Sequence, residues 1–480
     1  MNNDSSSGRI VAQGFEWWGG TALLVFALAI GGGLRFANLG GSEMSADEGA
    51  SWAAASATSL EQVLELQPRL NPGKFAVHEI ALHVWIGLFG DGLTAMRALS
   101  ALGGMLGIIV VFFLARELLG LSQLSLPVNG EVLSQHADIG LKLLPASAAV
   151  LFAANLVFIK YAQETRMYSV ALLCALLQVV FFLRSTRRQA RGVLLLTALF
   201  TALAIASTFT MVLILIPEYL WLGFIASRGQ VIFRRVIPAG LAVIGGLILL
   251  ISPALIYLRA RAQAPPLLAY AWASMPPPWA PISMFNKASG SVAFPAVLGL
   301  TLWGIIRGWR SHRDAIVFLL LWMLVPPIIV LVASYLIRPV FVERYLLASF
   351  VPLIMLVAFG IWSTRGLLLQ SALLTLIMVL ALGHVYSYRQ RAHDVQWREA
   401  VRAAVETGGH GIAVAPPYAA AVVRYYLDEA GDHRSVAPAR VQTLGVAIVA
   451  DSGVSANEAA RLAASYPHLV ARLRGVIVRE

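Results

Sequence analysis

A polytopic, all-α membrane protein of about eleven transmembrane helices, followed by a small extracytoplasmic α/β domain, is the fold class that this sequence predicts. Three observations predict it. Of 480 residues, 58% are hydrophobic and only 13% are charged, more apolar surface than a soluble chain can hide. Apolar segments of roughly 17 to 25 residues recur along the first four fifths of the chain, the length that a spanning helix requires. Beyond Tyr386 the pattern changes to short β-like runs alternating with helical ones.

The predicted spans lie near residues 20–38, 97–116, 144–160, 168–184, 192–209, 211–227, 236–257, 291–307, 315–337, 345–363 and 366–385. Residues 1–19 are expected on the cytoplasmic side. The first apolar segment lacks a small-residue cleavage pattern and reads as a retained helix rather than a signal peptide. Three basic connectors set the orientation: Arg184, Arg187, Arg188 and Arg191; Arg228, Arg234 and Arg235; and Arg307, Arg310 and Arg313. Alternating spans put all three on one side, which the positive-inside rule makes cytoplasmic. The loop at 39–96 and the tail from 389 to 480 then face outward. A cytoplasmic membrane is the expected location.

Within the first external loop, FAVHEIALHVWIGLFG reads as a helix lying in the interface. A second external loop, 258–290, carries six prolines and reads as a lid, a binding loop or a disordered segment. Residues 117–143 form a cytoplasmic insertion with no assigned role. In the tail, GIAVAP, VAIVAD and GVIVRE read as strands, and REAVRAAVET, AAAVVRYYLDEA and NEAARLAASY as helices.

Composition also excludes several functions. The net charge of +11 lies in short connectors rather than in a Lys/Arg tract with interleaved aromatics, which argues against nucleic acid. The single cysteine, Cys174, lies in an apolar run and leaves no intrachain disulfide or zinc–thiolate cluster. The histidines of HEIALH, His78 and His83, stand five apart and do not share a helical face closely, so no metal is assigned. Glu79 or His83 would have to join a divalent ion's ligands from elsewhere, and no cofactor is required. Glu218, inside the sixth span, is costly to bury and is expected to pair with a neighbour or sit near the external side.

Three motifs carry the chemistry. SADEGASW places Asp47 and Glu48 where the chain leaves the membrane. Adjacent helical residues diverge by about 100°, so one acid can serve as a base while the other binds or caps; the bland reading makes Asp47 the N-cap of a helix beginning near Glu48. YAQETRMYS crowds Gln163, Glu164 and Arg166 between two spans. A helix there would turn Glu164 and Tyr168 one way and Gln163, Arg166 and Ser169 the other. Arg166 either snorkels to the head groups or holds a phosphate in two places. VFVERYLL sets Glu343, Arg344 and Tyr345 at the external start of the tenth span; an Arg–Glu surface pair is the bland reading.

These motifs, in this order and with LHVWIGLFGDGLTAMRALSALGG between the first two, resemble the GT-C superfamily of integral-membrane glycosyltransferases. The likeness is to the bacterial branch of protein O-mannosyltransferases and the lipid A aminoarabinose transferase, over about residues 15–390. The resemblance implies a polyprenyl-phosphate-linked sugar as donor, transfer at the outer membrane face, and an external C-terminal domain. It maps onto Asp47 with Glu48 beside it, onto Arg166, and onto Arg344. At NPGKFAVHEIALH the chain departs from the His-Pro-Pro stretch of many relatives.

A phosphate leaving group departs without a proton, so the reaction needs a base near the acceptor hydroxyl. Asp47 is expected in that role, with Glu48 positioning it or the acceptor. Arg166 and Arg344 are expected to hold the donor phosphate. Gln163, Glu164, Tyr168 and Tyr345 are further substrate-binding candidates, and the 258–290 loop is expected to close over the site. The acceptor would be a glycolipid, a polysaccharide or a protein, and membrane lipid a constant partner. The rival is a transporter or flippase for a lipid-linked saccharide; a scaffolding protein would need no acids and arginines clustered on one face.

Overall fold

The computed structural model describes residues 4–121, 139–262, 274–391, 395–408, 410–439, 445–451, 454 and 456–480. The expected insertion at 117–143 and the centre of the proline-rich loop thus fall largely outside the described residues.

The chain opens with α1 (Asp4–Phe36), then three short helices, α2 (Ala46–Ala55), α3 (Leu60–Leu70) and α4 (Val77–Phe89). The long α5 (Leu93–Gly120) is followed by α6 (Ile139–Ala154), α7 (Leu156–Ala162), α8 (Tyr168–Ser185) and α9 (Arg191–Ser207). Next come α10 (Leu215–Ala226), α11 (Gln230–Leu249), α12 (Ile251–Ala262), α13 (Ala280–Ser289) and α14 (Phe294–Gly308). The bundle ends with α15 (Arg313–Leu336), α16 (Val351–Trp362) and α17 (Leu367–Arg389).

Every one of the eleven expected segments is helical, but not all are straight spans. Among the described residues, eight helical segments are long and apolar enough to cross a membrane, and two bent pairs bring the number to ten. The 144–160 segment is α6 and α7, bent by 61°. Asn155 makes the break: its Oδ1 accepts the Val157 amide at 3.0 Å and caps α7. The 291–307 segment is α14, which meets α13 at 104°. Part of the expected proline-rich loop is therefore helix, because Pro281 stands in the first turn of α13, where its missing N–H costs nothing. Segment 192–209 corresponds to α9, 17 residues long.

All twelve residues of α16 are buried, so it forms the axis of the bundle. Its contact with α14 is made by glycines: a Cβ at Gly304 would stand 2.5 Å from the Leu356 carbonyl and 2.7 Å from the Gly360 amide. Small residues let membrane helices approach at backbone distance. Gly304→Ala is expected to destabilise the bundle by about 1–3 kcal/mol, as overpacking does, read as a lowered midpoint of thermal unfolding in detergent.

The basic connectors gather at one end. Arg184 pairs with Glu117 at 2.6 Å, Arg187 also meets Glu117, and Arg228 reaches Asp314 at 2.7 Å. Glu218 is fully buried in α10, where the Gln178 amide donates to it at 3.0 Å, which meets the expectation of a neighbouring partner.

After the bundle come α18 (Trp397–Glu406), α19 (Ala420–Glu429) and α20 (Ala456–Ser465) with five strands: β1 (Gly411–Ala415), β2 (Ser435–Pro438), β3 (Val446–Ala450), β4 (Leu469–Leu473) and β5 (Val476–Arg479). The sheet order is β2-β1-β3-β5-β4. β1 pairs in parallel with β2 and β3, while β5 runs antiparallel to β3 and β4. The three strands expected from sequence are β1, β3 and β5, apolar because both or one of their faces are buried. The two missed strands are the edges, β2 and β4, neither of which has a fully buried residue.

Candidate functional site

The site lies at the end of the bundle opposite the arginine connectors, where residues of α2 bond side chains from the start of α5, the segment before α8 and the 3-10 segment Glu343–Phe350. Ser45 is the N-cap of α2 and closes a capping box with Glu48. The Ser45 hydroxyl accepts the Glu48 amide at 3.2 Å, and Glu48 Oε2 accepts the Ser45 amide at 2.9 Å. Asp47 is thus not the N-cap: the reciprocal Ser–Glu pair takes the terminal amides and leaves the Asp47 carboxylate outside the cap.

Glu48 is 2% exposed and fully engaged. Arg97 grips it with Nε at 2.8 Å and Nη2 at 2.9 Å, and the Thr165 amide donates to Oε1 at 2.8 Å. Burial opposes its charge, but Arg97 and the two amides more than offset this and hold the carboxyl below its usual range. With both oxygens taken, Glu48 fits the positioning role expected of it, not proton transfer.

Asp47 is different. Its side chain is 47% exposed, and Oδ2 accepts Arg344 Nη1 at 2.8 Å. Its backbone carbonyl accepts Arg166 Nη1 at 2.7 Å. Partial burial works against ionisation, but Arg166, Arg344 and Lys74 prevail and hold the carboxyl below the ordinary aspartate value.

YAQETRMYS is not one continuous helix, so the helical arrangement considered for it does not apply: residues 163–167 break between α7 and α8. The break frees the Thr165 amide for Glu48 and brings Arg166 and Tyr168 together, with the guanidinium 5.7 Å from the ring centre. Arg166 is 5% exposed and, among the described residues, bonds neutral oxygens: the Asp47 carbonyl, Ser51 Oγ at 3.2 Å and Asn71 Oδ1 at 3.1 Å. A buried cation on neutral partners is suited to an anion. Gln163 has another task. Its amide bonds the carbonyls of Leu34, Arg35 and Ala37 at 3.1–3.2 Å, closing the end of α1. Glu164 lies within the field of Glu48 and Asp47, and burial first, then the Glu48 charge, pushes its carboxyl up to about 7.

In VFVERYLL the expected Arg–Glu pair separates. Glu343 turns to Lys287 at 2.7 Å, whereas Arg344 turns to Asp47, with the Tyr345 ring 5.5 Å from its guanidinium. The four acids and arginines expected to meet, Asp47, Glu48, Arg166 and Arg344, therefore do meet, with Tyr168 and Tyr345 flanking the two guanidiniums.

Sequence reasoning missed three members of this network. Arg97 ties Glu48 to the loop before α2 through the carbonyls of Leu39, Ser42 and Glu43 at 2.7–2.9 Å. Lys74 and Glu79, both fully buried, pair at 2.5 Å beneath Arg166, where burial presses Lys74 down to about 8. Asn71 and Ser51 link this pair to Arg166. Each charge was visible as a lone ion among apolar residues, in LTAMRAL and in NPGKFAVHE. His83 Nδ1 bonds the Ala55 carbonyl at 2.8 Å. Among the described residues no three His, Cys, Asp or Glu side chains converge as metal ligands would.

No protein-family profile and no curated protein sequence matches the chain. Solved structures share its fold, among them two of ArnT. ArnT from Cupriavidus metallidurans in the apo state matches with a TM-score of 0.61 and 14% identity over 96% of this chain and 98% of that one. ArnT of the same organism bound to undecaprenyl phosphate matches with a TM-score of 0.60 and 13% identity over the same shares. The chain shares the fold of these ArnT structures, with a helical bundle and a small C-terminal strand domain.

Proposed function

We propose that the chain transfers a sugar, with inversion, from a polyprenyl-phosphate donor to an acceptor hydroxyl at the external membrane face. One observation carries this reading: the half-exposed Asp47 carboxylate stands between two guanidiniums, one of which, Arg166, has no carboxylate bonded to it among the described residues. The fold likeness to an ArnT structure holding undecaprenyl phosphate supports the donor class. The arginine connectors at the opposite end of the bundle support an external site.

The acceptor oxygen attacks the anomeric carbon while its proton passes to Asp47. The bond from that carbon to the phosphate oxygen breaks, and its electron pair leaves with the polyprenyl phosphate. Arg166 and Arg344 neutralise that developing charge. Arg344 serves both acid and phosphate: a phosphate arriving on it draws it from Asp47 and leaves a stronger base. Ionised Asp47 is the active form, so activity falls as pH drops through its pKa. The acid limb of kcat/KM, which reports the free protein, is therefore expected below 3.8, the ordinary aspartate value. The limb of kcat, which reports the bound complex, is expected at higher pH.

The direct test is release of polyprenyl phosphate from a panel of polyprenyl-phosphate sugars by the protein in lipid, with envelope extract as acceptor. Release with one sugar establishes the transferase. Donor binding without release under any acceptor condition favours the flippase, for which the buried Glu218 within α10 is the natural ion site.

A further inference from the structure

α2 is held from two sides. Its inner face bonds the bundle through Glu48 and Ser51. Its outer face lies on α19 of the C-terminal domain with no room between: a Cβ on Gly49 would stand 2.8 Å from the Val422 backbone nitrogen. Three residues before Asp47, the Met44 amide donates to the Tyr426 hydroxyl at 2.7 Å. One turn after it, the Trp52 ring meets Tyr425 edge-on at 5.2 Å, and both bond Asp91. Met44, Trp52 and Ala55 belong to one apolar core with Val422, Val423 and Tyr426.

From this contact we infer that the C-terminal domain sets the position of Asp47, and that Tyr426 is a positioning residue for the reaction. The inference rests on the role given to Asp47 above. Met44 immediately precedes the N-cap, so the Tyr426 hydroxyl fixes where α2 begins and hence which way its first turn points. A domain that only recruited an acceptor would need no hydrogen bond to this backbone and no side-chain-free face at Gly49. Without Tyr426 the first turn loosens, Asp47 leaves Arg344 and Arg166, and its carboxyl returns toward the ordinary value.

The experiment compares the full chain in lipid nanodiscs with Tyr426→Phe, which keeps the ring, and Gly49→Ala. Amide hydrogen exchange of residues 44–55 and donor turnover across pH are both read. Expected are exchange about tenfold faster in that segment alone, kcat lower by about tenfold, and an acid limb of kcat/KM moved to higher pH. Wild-type protection of 44–55 in both variants overturns the inference. So does faster exchange spread evenly over the C-terminal domain, which marks ordinary unfolding. Absence of turnover by the wild-type chain strikes the transferase reading instead, and the exchange data then decide the positioning role alone.

Discussion

Asp47→Asn is expected to bind the donor at least as well as the wild-type protein and to transfer almost nothing. The asparagine oxygen still accepts from Arg344, so the geometry of α2 is kept. What disappears is the proton acceptor and one negative charge. Loss of a general base costs roughly 10²- to 10⁴-fold in kcat. Loss of the charge has the opposite sign on binding: Asp47 repels an incoming phosphate and competes for Arg344 at 2.8 Å, so its neutral replacement leaves donor affinity unchanged or stronger. Paired measurements of donor binding and polyprenyl phosphate release separate the two effects. Equal release by both proteins would remove Asp47 from the chemistry, and weakened binding would mean that it holds the sugar instead.

Why Asp47 and not its neighbour was legible only in part. Ser45 and Glu48 match the S-x-x-E capping signature, which assigns Glu48 to the helix terminus and releases Asp47. That signal lies within four residues and needs no tertiary information. The helical segments were legible for a similar reason, since a span's length and apolarity are local properties. The bend at Asn155 was not, because apolar runs on both sides hide a break that a side-chain cap decides; at Gly290 the boundary was legible, but the helix α13 before it was not, since its proline-rich surroundings read as loop. Pairings were least legible of all. Arg344 reaches Asp47 across 297 positions, Arg97 reaches Glu48 across 49, and Glu79, the partner of Lys74, bonds the Asn71 and Ser51 that hold Arg166. Lone charges in apolar stretches announced that partners existed, but not which ones.

The Arg97–Glu48 pair carries the largest expected effect on stability. Arg97→Leu leaves Glu48 buried with two amide donors and no cation, and breaking a buried pair from one side costs about 3–5 kcal/mol. Removing both charges with Glu48→Leu/Arg97→Leu is expected to recover part of that loss, because the desolvation cost vanishes with the charges. The pH dependence distinguishes this from simple overpacking. In the wild-type protein the folded pKa of Glu48 lies below its unfolded value, so its contribution is present above the unfolded value and fades as pH falls through the folded one. In Arg97→Leu burial dominates and the folded pKa rises above the unfolded one. Acidification then stabilises the variant relative to neutral pH, the reverse of the wild-type trend. Thermal unfolding followed from pH 8 down to well below 4.5, the ordinary glutamate value, reads both slopes. If the two run in parallel, Arg97 acts only through packing and through the loop carbonyls it holds, and Glu48 is kept ionised by its amides alone.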